Sequence, residues 1–385
     1  MYNSLDNNYF ANSKYSVVDL RSDTVSKPTK EMRISMFEAE VGDDVYGEDP
    51  TVNRLEKMAS DIFKKEAGLF LPTGTMGNLI AVLAHCDRRG CEIIAGDQCH
   101  IFLYEQGGTA QFGGVHTRTV PNLENGTFNI DLVEQYIRPN DAHYPITSLI
   151  TVENTHNMCG GKVLPMDWLN KLADTAQKYC IPIHMDGARI FNASVYLNLP
   201  VSKITERIDS VQFCFSKGLG TPAGSMLVGS KVLIQKARRL RKALGAGMRQ
   251  SGVLAAPCIV ALNSMVNRLA DDHRRAREIA EAIDSFKCEF IKVDLSGLHT
   301  NILMVNFDTS VLTAAEFCFR VGTVTESEER ELKDKCVVIR ALGKSASVAR
   351  LVLYHNITDE DIQKVIEKLV YIVNEFKLKQ ISMNA

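Results

Sequence analysis

The sequence predicts an α/β protein: a large domain on a mostly parallel sheet with helices on both faces, then a smaller C-terminal α+β domain. Three observations predict it. From about residue 49, short apolar runs alternate with helical patterns, the order that builds a parallel sheet. Near residue 262 the chain passes into a long charged helical stretch and then into closely spaced strand candidates. The length, 385 residues, exceeds what one core usually organises.

In chain order, residues 1–48 read as an arm that packs on the large domain. The amphipathic helix "PTVNRLEKMASDIFKKE" opens the large domain, 49–262. Strands follow at "AGLFLP", "CEIIAG", "TSLITVEN", "CIPIHMDG" and residues 211–215, each a short apolar run of the kind buried on both faces. The small domain, 263–385, holds the charged stretch "MVNRLADDHRRAREIAEAIDSF" and the strand candidates "EFIKVDL", "NILMVNF", "CVVIRAL" and "ARLVLYH". It closes with a helix in "DEDIQKVIEKLVYIVNEFKLK". No internal repeat or low-complexity segment stands out, which argues against a solenoid or scaffold.

Composition narrows the classes. Hydrophobic residues make up 45%, charged residues 23%, and the formal net charge is -2, so nothing pulls the whole chain toward nucleic acid or an anionic membrane. Ten cysteines without a CxxC pair, several inside apolar runs, read as free thiols of a reducing compartment. The first eighteen residues lack a cationic start followed by an apolar core, and nowhere do eighteen apolar residues run together. The expectation is a soluble, cytoplasmic protein.

Chemistry enters at "QFCFSKGLGTPAGS". A buried strand delivers Lys217 into a turn containing Gly218, Gly220 and Gly224. Alone, such a lysine reads as a snorkelling side chain. However, "IPIHMDGAR" is another buried strand ending in Asp186, with Arg189 three residues on. Strand carboxyl ends of an open parallel sheet converge on one edge, where ligands bind, so Asp186 and Lys217 can share a site. In "LFLPTGTMGNLIAVLAHC" a strand, a Thr-Gly-Thr turn and a helix start offer backbone N–H groups and the hydroxyls of Thr73 and Thr75 to a phosphate. Neither GxxxxGK[ST] nor GxGxxG is present there. Lysine, aspartate, arginine and a phosphate cradle suit pyridoxal phosphate, which needs a lysine for its aldehyde and an acid beside its ring nitrogen. His100 in "DQCHIFLYEQGG" is available to cover the ring.

From "VVDLRSDTVSKPTKEM" to the end the chain resembles the low-specificity L-threonine aldolases, fold-type I pyridoxal-phosphate enzymes related to the beta-eliminating lyases. The motifs that carry the resemblance are "DLRSDTVSKP", "GDDVYGEDPTVNRLE", "PTGTMGNLIA", "HIFLYEQGG", "ENTHNMCGGKVLP", "HMDGARIFNA", "SKGLGTPAGS" and "MRQSG". It implies that Lys217 binds the cofactor as a Schiff base, Asp186 faces the ring nitrogen and His100 stacks on the ring. Gly74 and Thr75 hold the phosphate, with Lys242 and Arg249 reaching it from a neighbouring subunit. Ser22, Arg189 and Arg350 clamp the substrate carboxylate, Arg350 being preferred to Arg340 because "ARLVLYHNIT" fits the arginine-bearing strand. His156 in "ENTHN" stands near the substrate hydroxyl. The implied reaction is cleavage of L-threonine, and L-allo-threonine with it, to glycine and acetaldehyde by a homotetramer built from dimers. Thr221, where the family often has alanine, and the first sixteen residues depart from the pattern.

The base for the hydroxyl proton is read as His156 or a water it orients, with His100 and Lys217 as the other candidates. The four carboxylates Asp43, Asp44, Glu48 and Asp49 read as solvated turn and helix-capping groups rather than a cation site, and no metal is expected. The basic helix "KVLIQKARRLRKALG" is explained by a phosphate pocket and a subunit contact, without nucleic acid. Another pyridoxal-phosphate reaction, such as β-elimination, transamination or phenylserine cleavage, uses the same cofactor groups and is the rival reading. A non-catalytic relative is disfavoured because every site position carries the chemistry required of it.

Overall fold

The computed structural model describes residues 14–384, with strands at β1 (Ser16–Asp19), β2 (Ala67–Leu71), β3 (Cys91–Gly96), β4 (His116–Val120), β5 (Ile146–Glu153), β6 (Ile183–Asp186) and β7 (Ser210–Cys214). Further along come β8 (Ser225–Gly229), β9 (Ile291–Val293), β10 (Ile302–Phe307), β11 (Val337–Arg340), β12 (Leu342–Gly343) and β13 (Val348–Val352). The chain divides into two compact units. One is Ser26–Ala270; the other joins residues 14–25 to residues 271–384.

In the first unit the sheet order is β2-β8-β7-β6-β5-β3-β4. Only β8 runs against its neighbours β2 and β7; the other pairings are parallel. The sequence dictates this. β3, β6 and β7 are buried along their whole length, as strands covered on both faces must be. The helix Pro50–Phe63 shows how the cover is fixed. Asp49 caps it by accepting the N–H groups of Thr51 and Val52, Pro50 stands at its first turn, and Lys64 ends it in the left-handed region. Its buried stripe, Val52, Leu55, Ala59 and Phe63, spaces as one helical face. Phe63 stacks on Phe213 of β7 at 4.9 Å, so this helix is packed against the strand that leads to Lys217.

The second unit holds the four-stranded sheet β12-β13-β10-β9, antiparallel throughout, and the parallel pair β1-β11. The helices Ala314–Val321 and Asp359–Asn384 contribute Phe317, Val365 and Leu369 to a core shared with Val305, Ile339 and Leu351.

This division departs from the sequence expectation at both ends of the large domain. The arm expected over 1–48 is split. Ser16–Asp19 is hydrogen-bonded in register to Val337–Arg340, a pairing across more than three hundred residues that no local pattern reveals, whereas Ser26 onward belongs with the large sheet. Residues 1–13 lie outside the described part. The boundary expected near 262 falls inside the helix Gly252–Ser264, whose Ala255, Cys258, Ile259, Ala261 and Leu262 are buried in the core of the first unit, so the unit continues to Ala270. Among the described residues no single helix is long and apolar enough to cross a membrane.

Candidate active site

The strands β2, β3, β5, β6 and β7 point their carboxyl ends to the same edge of the sheet, and five segments emerge there. After β7, Phe215 N–H donates to Gly224 O and Thr221 N–H to Phe215 O, which closes a turn around Lys217. Gly220 and Gly224 take φ values of 79° and 109°, and a Cβ on Gly224 would stand 2.8 Å from the Phe70 ring. Glycine is required at these two points. The carbonyl of Lys217 accepts from Gly220 N–H at 2.8 Å and from Ser26 Oγ at 3.1 Å, while its side chain is half-buried.

The turn after β2 is tied to the lysine turn. Ser225 Oγ donates to Thr73 O at 2.7 Å and Gly224 N–H to Pro72 O at 3.0 Å. Thr73 caps the helix Gly74–His85 through its hydroxyl, which accepts Met76 N–H at 3.2 Å. Gly74 and Thr75 supply the first two amides of that helix, which lie outside its own hydrogen bonds and carry the positive end of its dipole. A Cβ at Gly74 would stand 2.6 Å from Cys214 Sγ, and one at Gly77 2.5 Å from Gln212 Cγ. The absence of side chains thus lets the amide end press against β7.

At the end of β6, Asp186 is 2% exposed. Its Oδ1 accepts Ala188 N–H at 3.0 Å and its Oδ2 accepts Asn78 Nδ2 at 2.8 Å. The same amide donates to Glu105 Oε1 at 2.8 Å, and Glu105 accepts His100 Nδ1–H at 2.9 Å. Ligand atoms of His100, Glu105 and Asp186 lie within 4.8 Å of one another. Burial disfavours a charged His100 ring, yet the bond to Glu105 and the charges of Asp186 and Glu105 outweigh it and raise its pKa. Burial raises Glu105 as well, against the bonds from His100 and Asn78. The charge of Lys217 reaches His100 and acts in the opposite direction to the carboxylates.

After β5, Glu153 fastens two neighbouring segments, accepting His100 N–H at 2.6 Å and Asn157 N–H at 2.8 Å. His156 is 1% exposed, and among the described residues neither of its ring nitrogens has a hydrogen-bond partner; Asn154 Nδ2 and Thr155 Oγ1 beside it are likewise unpaired. Arg189 is buried at the cap position of the helix Ile190–Leu197.

Lys242 and Arg249 are exposed; Arg249 Nη1 pairs with Asp43 at 2.9 Å and the Lys242 stem covers Gly247. Ser22 and Arg350 belong to the second unit, where Arg350 Nη2 donates to Arg21 O at 3.0 Å and Ser22 Oγ accepts from Thr24 Oγ1 at 2.9 Å. The acidic loop holds structure: Asp49 is a helix cap, but Asp44 is buried against Arg241 at 2.6 Å rather than solvated. Part of the basic helix Lys231–Ala243 is therefore neutralised within the chain, through Arg241, through Arg238 to Glu56 and through Lys236 to Asp87. Sequence reading missed Asn78, Glu105 and Glu153. Asn78 is the one polar side chain in the run "NLIAVLA", which is the signal that was there to find.

A phosphate would meet the amides of Gly74 and Thr75, a protonated ring nitrogen the doubly bonded carboxylate of Asp186, and an aldehyde the amine of Lys217. Pyridoxal phosphate carries all three groups, so the residues fit it. Known proteins agree with this chemistry. The profile of the beta-eliminating lyase family matches residues 19–310. The "Probable low-specificity L-threonine aldolase 2" of Arabidopsis thaliana is 48% identical over 352 residues, covering 91% of this chain and 95% of that one. The "Low specificity L-threonine aldolase" of Escherichia coli K12 is 41% identical, with 91% and 97% covered. Among solved structures, a putative L-allo-threonine aldolase from Listeria monocytogenes superposes with a TM-score of 0.75 at 20% identity, covering 94% of this chain and 97% of that one.

Proposed function

The chain belongs to the beta-eliminating lyase family and is a pyridoxal-phosphate-dependent lyase of the low-specificity L-threonine aldolase type; from that premise we propose that it cleaves L-threonine and L-allo-threonine to glycine and acetaldehyde. The observation that carries the site assignment is the edge at which a lysine turn, a helix start and a buried, doubly hydrogen-bonded aspartate emerge from one sheet. Pyridoxal phosphate supplies the electron sink for the pair released when a bond to Cα breaks. Lys217 would carry the cofactor, Asp186 would face its ring nitrogen, Gly74 and Thr75 would bind its phosphate, and His100, steadied by Glu105, would cover its face.

Arg350 and Arg189, with Ser22, hold the substrate carboxylate; a guanidinium fork fixes it in two places and so decides which Cα bond is broken. His156, or a water it orients, takes the proton of the β-hydroxyl. The O–H bond opens, the Cα–Cβ bond breaks, acetaldehyde departs, and a proton delivered to Cα completes glycine. His156 is favoured over His100 because among the described residues neither of its ring nitrogens is paired, whereas His100 is committed to Glu105. Exposure of Lys242 and Arg249 on this chain supports their reaching the phosphate of a second copy in a tetramer built from dimers. The enzyme then serves cytoplasmic threonine breakdown and glycine supply.

The test is product analysis from both threonine diastereomers with added cofactor. Glycine and acetaldehyde in equal amounts are expected. Pyruvate with ammonia, or an exchanged amino group, would move the reaction to elimination or transfer and refute the aldolase.

A further inference from the structure

Behind Asp186 runs a buried polar chain with no direct part in the proposed reaction. Asn78 is 1% exposed and His184 and Ser210 are fully buried. Besides its two carboxylate partners, Asn78 meets His184 Nε2 through Oδ1 at 3.1 Å. His184 Nδ1 and His85 Nε2 each lie 2.9 Å from Ser210 Oγ.

Chemistry assigns every proton along it. The Asn78 nitrogen donates to carboxylate oxygens of both Glu105 and Asp186, and its two hydrogens are then used. The Asn78 oxygen therefore needs a donor, which is His184 Nε2–H. Burial, then the charge of His85, pushes His184 down to about 3, so the ring is neutral and has one proton to give. Its Nδ1 accepts the Ser210 hydroxyl, and the Ser210 oxygen accepts His85 Nε2–H. Turning any one group round would set two acceptors face to face.

We propose that Asn78 is a positioning residue for Asp186 and Glu105, locked in its one workable orientation by His184, Ser210 and His85, and that it holds the Asp186 carboxylate in place toward the cofactor ring nitrogen. This rests on the assignment of Asp186 given above. The titratable groups around the pair are His100 and Cys99 from the segment after β3, Glu153 at the end of β5, Lys217 after β7, and His184 with His85 behind. Without the amide, Asp186 loses one of its two donors and is no longer held against the ring nitrogen, which then loses its proton more readily, and the nitrogen at Lys217 becomes harder to deprotonate.

The experiment is a pH titration of the bound cofactor's visible absorbance in wild type, Asn78→Ala and Ser210→Ala holoenzyme, with cofactor affinity measured beside it. In Asn78→Ala the midpoint is expected to rise by about one pH unit and the affinity to fall about 10- to 100-fold, the usual scale for groups that orient a ligand. Ser210→Ala moves the midpoint the same way by less. Wild-type midpoints in both variants, with only a lower melting temperature, would overturn the proposal and leave Asn78 a packing residue. If Asn78→Ala does not fold, the Ser210→Ala midpoint decides alone: displaced, it supports the chain, and unmoved, it refutes it. Wild type that takes up no pyridoxal phosphate overturns the functional reading and this inference together; wild type that takes it up with both variants unmoved overturns the inference only.

Discussion

At the scale of single residues, two histidines of similar chemistry are separated by their partners. His100 is held by Glu105, with its pKa raised, whereas His156 is buried and among the described residues neither of its ring nitrogens has a partner. An unmet buried group costs free energy and is kept where a ligand repays it. His156→Ala should therefore retain the bound cofactor's absorbance while turnover of L-threonine falls by about 10²- to 10⁴-fold, the range of a general base. Near-normal turnover would remove His156 from proton transfer. Lys217, Asp186 and His100 were legible because each ends a strand or opens a turn in a distinctive motif. Asn78, Glu105 and His184 were not, since their roles depend on which side chains meet across the sheet edge. A hydrogen bond between residues 108 positions apart, as from Asn78 to Asp186, has no local signature.

At the scale of elements, the site is only as firm as the helices and turns that deliver it. Asp49 is the clearest case. Its Oδ1 accepts Thr51 and Val52 N–H at 3.1 and 3.0 Å, and its Oδ2 accepts Gly42 and Gly252 N–H at 3.2 and 2.8 Å. One carboxylate thus caps the helix Pro50–Phe63 and ties it to the start of the helix Gly252–Ser264. Asp49→Ala should lower the unfolding free energy by about 2–4 kcal/mol, more than an ordinary cap, because four amides are left unmet. Urea unfolding measures it; a loss below about 0.5 kcal/mol would show that the amides find water or other partners. The cap itself could be read from "GEDPT", but the tie to Gly252 could not. For the same reason the mostly parallel sheet was legible in its buried apolar runs, while the placement of β8 against its neighbours and the pairing of β1 with β11 were not. Strand partners are chosen by tertiary packing, and a strand's own residues do not name them.

At the scale of the whole molecule, both units carry buried histidines that set an acid limit. Burial pushes His85 and His273 down to about 4 and His184 to about 3. In the unfolded chain each binds a proton near 6.5. Their stabilisation is therefore complete above that value and is lost as the pH falls toward 3 to 4, at up to about 1.4 kcal/mol per pH unit for each. His100 has the opposite sign: raised in the folded state, it contributes below 6.5 and ceases to as the pH rises through its folded value. Unfolding free energies measured through mildly acid pH should fall, and the slope in His273→Leu should be shallower by about 1.4 kcal/mol per unit; an unchanged slope would show that His273 protonates alike in both states. The sheet edge is proposed to present Lys217 to pyridoxal phosphate. The most direct measurement is to add the cofactor, reduce with borohydride, digest, and find the modified peptide by mass spectrometry in wild type and Lys217→Ala. A single pyridoxyl label on Lys217 is expected in wild type and none in the variant. A label on another lysine, or none in a wild type that cleaves threonine, would contradict it.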